Sequence, residues 1–283
     1  MTEAARPARP ELPSDPWSLA PMGEAFEAVL DSGLAELRLL DTVAASPPAR
    51  RSYEAHARLL RDWNQAINLT AIRDPAEVAL RHTCDSLSAV PLLSGLVQPG
   101  ASLLDIGSGG GYPGLPLAAA LPLGRLGLLD SVGKKARFLG VAGAAVAAVL
   151  TGSAAAGDQP PLTIVAIAER AEDVAEEFGQ REAWDVVVAR AVGSLAEVLE
   201  LALPLTREGG TVVAWKREEE GGGLRAELQS AGSIIRAAGG GRPRVVSVEA
   251  AGLAGHRLVT VPKERTTPLA YPRPAGVRRR RRR

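Results

Sequence analysis

Apolar residues recur at three- and four-residue spacing through the first third of the chain, as at Tyr53, Leu59, Leu60 and Trp63, which predicts helices from about residue 24 to residue 93. Pro75 and Pro91 punctuate this stretch. From residue 101 the pattern changes. Short apolar runs, ASLLDI (101–106), RLGLLD (125–130), LTIVAIA (162–168), WDVVVAR (184–190) and GTVVAWK (210–216), alternate with helix-length segments at 113–121, 133–149, 170–179 and 194–203. Strands that are apolar at successive positions are buried on both faces, so the alternation predicts a parallel sheet with helices on both sides. Two later runs, RVVSVEA (244–250) and HRLVTVP (256–262), follow a helix over 224–237. The link between them is too short for a helical crossover, so the last strand should turn back antiparallel. Residues 1–22 are rich in Pro and Ala without periodicity and read as disordered, while LTGSAAAGDQPP (150–161) reads as a flexible surface insertion.

Composition narrows the class. The 283 residues are 46% hydrophobic but only 4% aromatic, so Ala, Leu and Val must fill the core of one or two domains. The single cysteine, Cys84, excludes an internal disulfide framework and suits a reducing cytoplasm. Three scattered histidines and one cysteine give no metal site. The N-terminus MTEAARPARPELPSDPW is polar and proline-rich, unlike a signal peptide. Gly or Pro interrupts the longest apolar runs before any clean span of about 20 residues, so no membrane helix is expected. The net charge of +1 hides an asymmetry: setting aside the run Arg278 to Arg283 leaves 27 basic residues against 32 acidic ones. Any RNA contact must therefore come from local patches. The arginine run reads either as a solvated tail or as a phosphate contact. Nothing demands an oligomer.

The sharpest signal is LLDIGSGGGYPGLPL, Leu103 to Leu117, where a strand ends at Asp105, breaks into Gly107, Gly109, Gly110 and Gly111, and restarts as a helix at Pro113. Glycine permits positive φ and lets a ligand touch the backbone, and the helix start offers free N–H groups. A phosphate loop of the G-x-x-x-x-G-K-[ST] type is absent. A dinucleotide loop, G-x-G-x-x-G from Gly107, would need a third glycine where Tyr112 stands. The observed D-x-G-x-G-x-G spacing resembles the cofactor loop of S-adenosylmethionine-dependent methyltransferases. Asp130 ends the next strand, where an acid can accept both ribose hydroxyls, and Asp105 is placed to hold the ligand's ammonium group through water.

Absent motifs narrow the acceptor. Methylating C5 of a pyrimidine needs a cysteine nucleophile, and Cys84, the only thiol, reads as a buried inert residue in the helical segment. Exocyclic amine methylation commonly uses an [N/D]-P-P-[F/Y] loop after the fourth strand, where this chain has AVGS. What remains favours an acceptor that already carries a lone pair, such as guanine N7, which asks for in-line positioning more than for a base. Carboxylates or carbonyls nearby would stabilise the charge the ring gains.

Further blocks, in order, are WNQAINLTAIRD (63–74), RHTCDSL (81–87), LLDSVGKKARFL (128–139), ERAED (169–173), VVVARAVGSL (186–195) and AWK (214–216). With the glycine loop, they make the chain similar to the bacterial 16S ribosomal RNA guanine-N7 methyltransferase G family, also called glucose-inhibited division protein B, over roughly residues 50 to 220. The resemblance implies a Rossmann-like class I methyltransferase with a mostly parallel seven-stranded sheet and an N-terminal helical extension. It implies S-adenosyl-L-methionine as donor, and as acceptor a guanine in the decoding region of 16S rRNA, guanine 527, in naked rRNA or in the small ribosomal subunit. By the resemblance Gly107 and Tyr112 contact the donor, Ala171 and Glu172 its adenine side, and Asp130 its ribose, while Arg190 stands at the donor–acceptor boundary as a positioning group. Lys134, Lys135, Arg137 and Lys216 are the candidates for RNA phosphates.

The expected organisation is a disordered N-terminus (1–22), a helical extension (23–97), a methyltransferase domain (98–263) and a basic flexible tail (264–283), in a cytoplasmic protein. The chain departs from the family pattern at Arg217, where glycine is usual, and at His256–Arg257, whose order is reversed. A methyltransferase for another RNA or small molecule, or a non-catalytic module that binds the donor and docks on rRNA, are the competing readings.

Overall fold

The computed structural model of this chain describes residues 12–152, 161–218 and 222–274. Its centre is a seven-stranded sheet built from β1 (Ala101–Ile106), β2 (Leu123–Leu129), β3 (Thr163–Ile167), β4 (Trp184–Arg190), β5 (Thr206–Arg217), β6 (Arg244–Ser247) and β7 (His256–Pro262). The order across it is β3-β2-β1-β4-β5-β7-β6. The first five strands pair in parallel, and β7 runs antiparallel to both β5 and β6, as the short link before it requires. The fold is therefore α/β with a mostly parallel sheet.

Successive residues of each inner strand feed opposite faces. Leu103, Leu126, Leu128, Val186, Val188 and Val213 join one core, while Leu104, Leu129, Val187, Ala189, Val212 and Val259 join the other. Helices α1 (Glu24–Glu36), α2 (Pro47–Trp63), α6 (Gly114–Ala120) and α7 (Gly133–Gly152) cover the first face, and α8 (Ala171–Val174), α9 (Leu195–Ala202) and α10 (Gly223–Ala237) the second. Between α2 and β1 lie α3 (Pro75–Val78), a π-helical turn at Ala79–Cys84 that runs straight into α4 (Asp85–Leu87), and α5 (Val90–Leu93). The wider turn of a π-helix re-aims the side chains in it and just after it. Here those are His82, within the turn, and Asp85, directly after it.

Three expectations need correction. Residues 12–22, read as disordered, are ordered: Trp63 Nε1–H donates to the Pro13 carbonyl at 2.7 Å, and Arg58 and Arg61 donate to the Leu19 and Ala20 carbonyls at 3.1 and 2.6 Å. Carbonyls that no regular element can satisfy are satisfied by α2, which a search for periodicity does not register. Residues 264–274, read as the start of a flexible tail, are also packed. Arg181 donates to the Thr267 and Tyr271 carbonyls at 2.9 and 3.0 Å, and Arg273 holds Glu200 through Nε and Nη2 at 2.7 and 2.6 Å. Finally, Gly133–Gly152 forms one unbroken helix that is long and apolar enough to cross a membrane, although glycines seemed to interrupt the run. Phe138, Leu139, Ala142 and Val146 of this helix are buried in the first core. Residues 1–11, most of the 150–161 insertion and the run Arg278 to Arg283 lie outside the described residues.

Candidate functional site

The connections leaving β1 and β4 diverge at the carboxyl ends of these neighbouring strands, the switch point where α/β sheets bind ligands. The glycine loop fills one side of that crevice. Gly107 and Ser108 donate their N–H groups to the Leu129 carbonyl at 2.7 and 3.0 Å, stitching the loop to the end of β2. Gly107 has φ +70° and Gly111 φ +83°; a Cβ on Gly107 would stand 2.8 Å from Val192, and one on Gly111 2.8 Å from His56. At Gly109, φ +53°, the nearest atom to an added Cβ is 3.8 Å away, so its open side faces space that a ligand can use.

Asp105 is fully buried beneath this loop. Its Oδ2 accepts the Gly114 N–H at 2.9 Å, and its Oδ1 is buried with no hydrogen-bond partner. Burial pushes its carboxyl up to about 7. An unpaired carboxylate oxygen under an open glycine cradle fits the ammonium end of S-adenosylmethionine. Asp130, expected to bind the donor ribose, also braces the loop: its Oδ2 accepts the Gly109 N–H at 3.1 Å and its Oδ1 the Val132 N–H at 2.9 Å. A carboxylate has lone pairs enough for both tasks. Buried Ala171 and half-buried Glu172 open α8 just beyond β3, so the ends of β1, β2 and β3 place the loop, Asp130 and these two residues along one line.

Arg190 ends β4 on the other side of the crevice. Its Nη1 donates to Asp85 Oδ2 at 2.8 Å and to the Arg81 carbonyl at 2.9 Å, and its Nη2 reaches His82 Nδ1 at 3.2 Å. Its guanidinium lies 5.6 Å from the Tyr112 ring centroid. Tyr112 in turn is stacked between His56 and His82, with centroids 4.2 and 4.8 Å away. Because guanidinium only donates, His82 Nδ1 must be the accepting nitrogen, and Nε2–H then faces Thr70 Oγ1 at 2.8 Å. Burial and then Arg190 push His82 down to about 4, and burial pushes His56 down to about 3, so both rings are neutral near pH 7. Beyond Arg190 opens a cleft of about 410 Å3 lined by His82, Asp85, Arg190, Trp215, Arg217 and His256 among others.

Not every expected residue joins this centre. Lys216 lines the cleft, but its ammonium is held by Glu227 at 2.7 Å and the Gly193 carbonyl at 2.8 Å. It therefore clamps the loop after β4 rather than projecting as an unengaged charge. Lys134 and Arg137 are exposed and Lys135 half-buried on the first turns of α7, where Arg137 stands 6.0 Å from the Trp63 ring. Cys84 is fully buried and its thiol is pushed up to about 12 by burial, unsuited to act as a nucleophile. Among the described residues no cluster of His, Cys, Asp or Glu could hold a metal.

Sequence reasoning missed His56, Trp215 and His256. All three histidines of the chain belong to this centre. A signal existed for His56, a polar residue on the apolar face of α2. For His256 there was only its reversed order with Arg257.

A family model described as rRNA small subunit methyltransferase G matches residues 50–234. The chain is 38% identical to the ribosomal RNA small subunit methyltransferase G of Symbiobacterium thermophilum over 89% of its own length and 96% of that relative. It is 41% identical to the protein of the same description from Roseiflexus castenholzii, over 81% of this chain and 90% of that one. Among solved structures, the T. thermophilus 16S rRNA N2 G1207 methyltransferase in complex with AdoMet and guanosine aligns with 64% of this chain and 40% of its own, at 20% identity and a TM-score of 0.38, too loosely to bear on the site.

Proposed function

The chain belongs to the rRNA small subunit methyltransferase G family, and from that premise we propose that it methylates N7 of a guanine in the decoding region of 16S rRNA, guanine 527. It is an S-adenosylmethionine-dependent rRNA methyltransferase; the acceptor atom and nucleotide are the added reading. When bound, S-adenosylmethionine supplies an electrophilic methyl group. The chain's own residues supply position. Asp105 Oδ1 takes the ammonium, the Gly107–Gly111 backbone and Tyr112 hold the body of the donor, Asp130 the ribose, and Ala171 and Glu172 flank the adenine.

One observation carries the acceptor reading: Arg190 lines the cleft and at the same time has its guanidinium 5.6 Å from the ring of Tyr112 in the donor loop, so a base in the cleft lies next to the donor. The carboxylate of Asp85, the carbonyl of Arg81 and His82 Nδ1 fix the guanidinium, which leaves its remaining N–H groups to orient the base. N7 brings its own lone pair, so no base is required, and the neutral His82 ring that lines the cleft puts no positive charge beside it. The positive charge gained by the purine falls near the Asp85 carboxylate. Lys134, Lys135 and Arg137 serve RNA phosphates along the rim, and the enzyme acts in the cytoplasm on naked rRNA or on the small subunit.

The test uses small-subunit rRNA and assembled subunits from cells that lack the cognate enzyme, each incubated with protein and labelled S-adenosylmethionine. Label is expected in N7-methylguanosine from one of the two preparations, which names the substrate. Label in any other nucleoside overturns the N7 reading. Donor binding without labelled nucleoside would leave a docking module.

A further inference from the structure

His256 is unexplained by donor binding. It opens β7, two strands beyond β4, and its Nδ1 lies 2.8 Å from Asp85 Oδ1. The other oxygen of the same carboxylate, Oδ2, holds Arg190 at 2.8 Å. One buried acid thus sets two cleft side chains in register. It is itself pinned, since its backbone carbonyl accepts from Trp215 Nε1 at 2.9 Å and from Ser88 Oγ at 2.6 Å.

The chemistry of the pair follows from that register. A carboxylate only accepts, so His256 Nδ1–H donates to it; an imidazole that carries its one proton at Nδ1 keeps an accepting lone pair at Nε2, and His256 lines the cleft. Arg190 has only donors, and those not taken by Arg81, Asp85 and His82 are one N–H on Nη2 and the Nε–H. A donor and an acceptor side by side match a base edge that offers an acceptor and then a donor. Guanine O6 and N1–H do so; adenine presents the reverse, an amino group and then a bare nitrogen. The sheet order gives the direction. The Tyr112 loop follows β1, Arg190 ends β4, and His256 lies further out on β7. With O6 on Arg190 and N1–H on His256, N7, on the far side of O6, points back to the donor loop.

We propose that Arg190 and His256, registered by Asp85, read the Watson–Crick edge of the acceptor guanine and thereby aim N7 at the donor. The inference rests on the guanine-N7 reading above. His256 is the specificity residue and Asp85 a positioning residue.

The experiment places guanine, inosine or 1-methylguanine at the methylated position of the RNA substrate and compares kcat/KM for the full-length protein and for His256→Ala and His256→Gln. Inosine keeps O6 and N1–H and should react almost as guanine does. The N1 methyl group removes the donor and should slow the wild-type protein by about tenfold or more. His256→Ala should lose about tenfold on guanine and little on 1-methylguanine, so the preference collapses; His256→Gln, whose amide carbonyl also accepts, should restore part of it. Donor affinity by calorimetry should be unchanged in both, because His256 is off the donor loop. Retention of the full guanine preference by a His256→Ala protein that binds donor overturns the proposal. So do equal wild-type rates on guanine and 1-methylguanine, whatever the variants do. If the wild-type protein labels no guanine N7 at all, the underlying reading fails and takes this one with it.

Discussion

At the scale of single residues, the site depends on atoms left without partners. Asp105 Oδ1 is buried and unpaired, and the carboxyl is pushed up to about 7 by burial. Only the ionised form attracts an ammonium group. Affinity for S-adenosylmethionine should therefore weaken as pH falls through about 7, and Asp105→Asn should bind weakly with that pH dependence flattened; calorimetry across the range checks both. The glycines divide in the same way. Gly109→Val, whose side chain enters open space but at φ +53°, should cost donor affinity by about tenfold or more, because a ligand and a side chain cannot share that space, and about 1–3 kcal/mol of stability from the left-handed backbone. Gly111→Ala instead meets Leu115 and His56 at a left-handed φ and should lower stability by about 2–3 kcal/mol, read from denaturant unfolding.

At the scale of elements, helices of the N-terminal extension act as a scaffold for groups on the sheet. The π-helical turn brings His82 and Asp85 onto Arg190, and α2 brings His56 against Tyr112. The same α2 orders the chain before it through Trp63, Arg58 and Arg61. Trp63→Phe removes the N–H to Pro13 and puts a smaller ring at a buried position, so it should cost about 1–3 kcal/mol and speed amide exchange over residues 12–22 relative to the core. Unchanged exchange there would mean that the arginines alone hold the segment. The helix expected over 170–179 is reduced to Ala171–Val174, with Gly179 at φ +85°. The apolar spacing was legible, but the turn that ends it depends on packing against neighbouring chain.

For the molecule as a whole, burying neutral histidines has a pH signature. An unfolded chain protonates histidine near 6.5, whereas His82 and His56 are pushed down to about 4 and about 3 in the fold. Between those values the unfolded state binds more protons, so stability falls as pH falls from about 6.5 to about 4. Asp105 acts oppositely, since its raised carboxyl favours the fold below about 4 and loses that contribution as pH rises through about 7. Two histidines outweigh one carboxyl. The melting temperature should drop across that acid window and drop more steeply in Asp105→Asn; a flat profile by calorimetry would contradict the assigned ring states.

The sequence alone determined what local pattern determines. Alternating apolar runs marked the strands, with ASLLDI, WDVVVAR and HRLVTVP matching β1, β4 and β7 residue for residue. The D-x-G-x-G-x-G loop marked the donor side, because tight turning and close ligand approach demand glycine locally. Only the tertiary structure decided that Arg190, Trp215 and His256, which lie 105, 130 and 171 positions along the chain from Asp85, all meet it. It also decided that Lys216 is clamped and that residues 12–22 are tied down. Those outcomes depend on which strands become neighbours and on which carbonyls and carboxylates are left to be satisfied after packing. A pattern of apolar positions along the chain has no record of either.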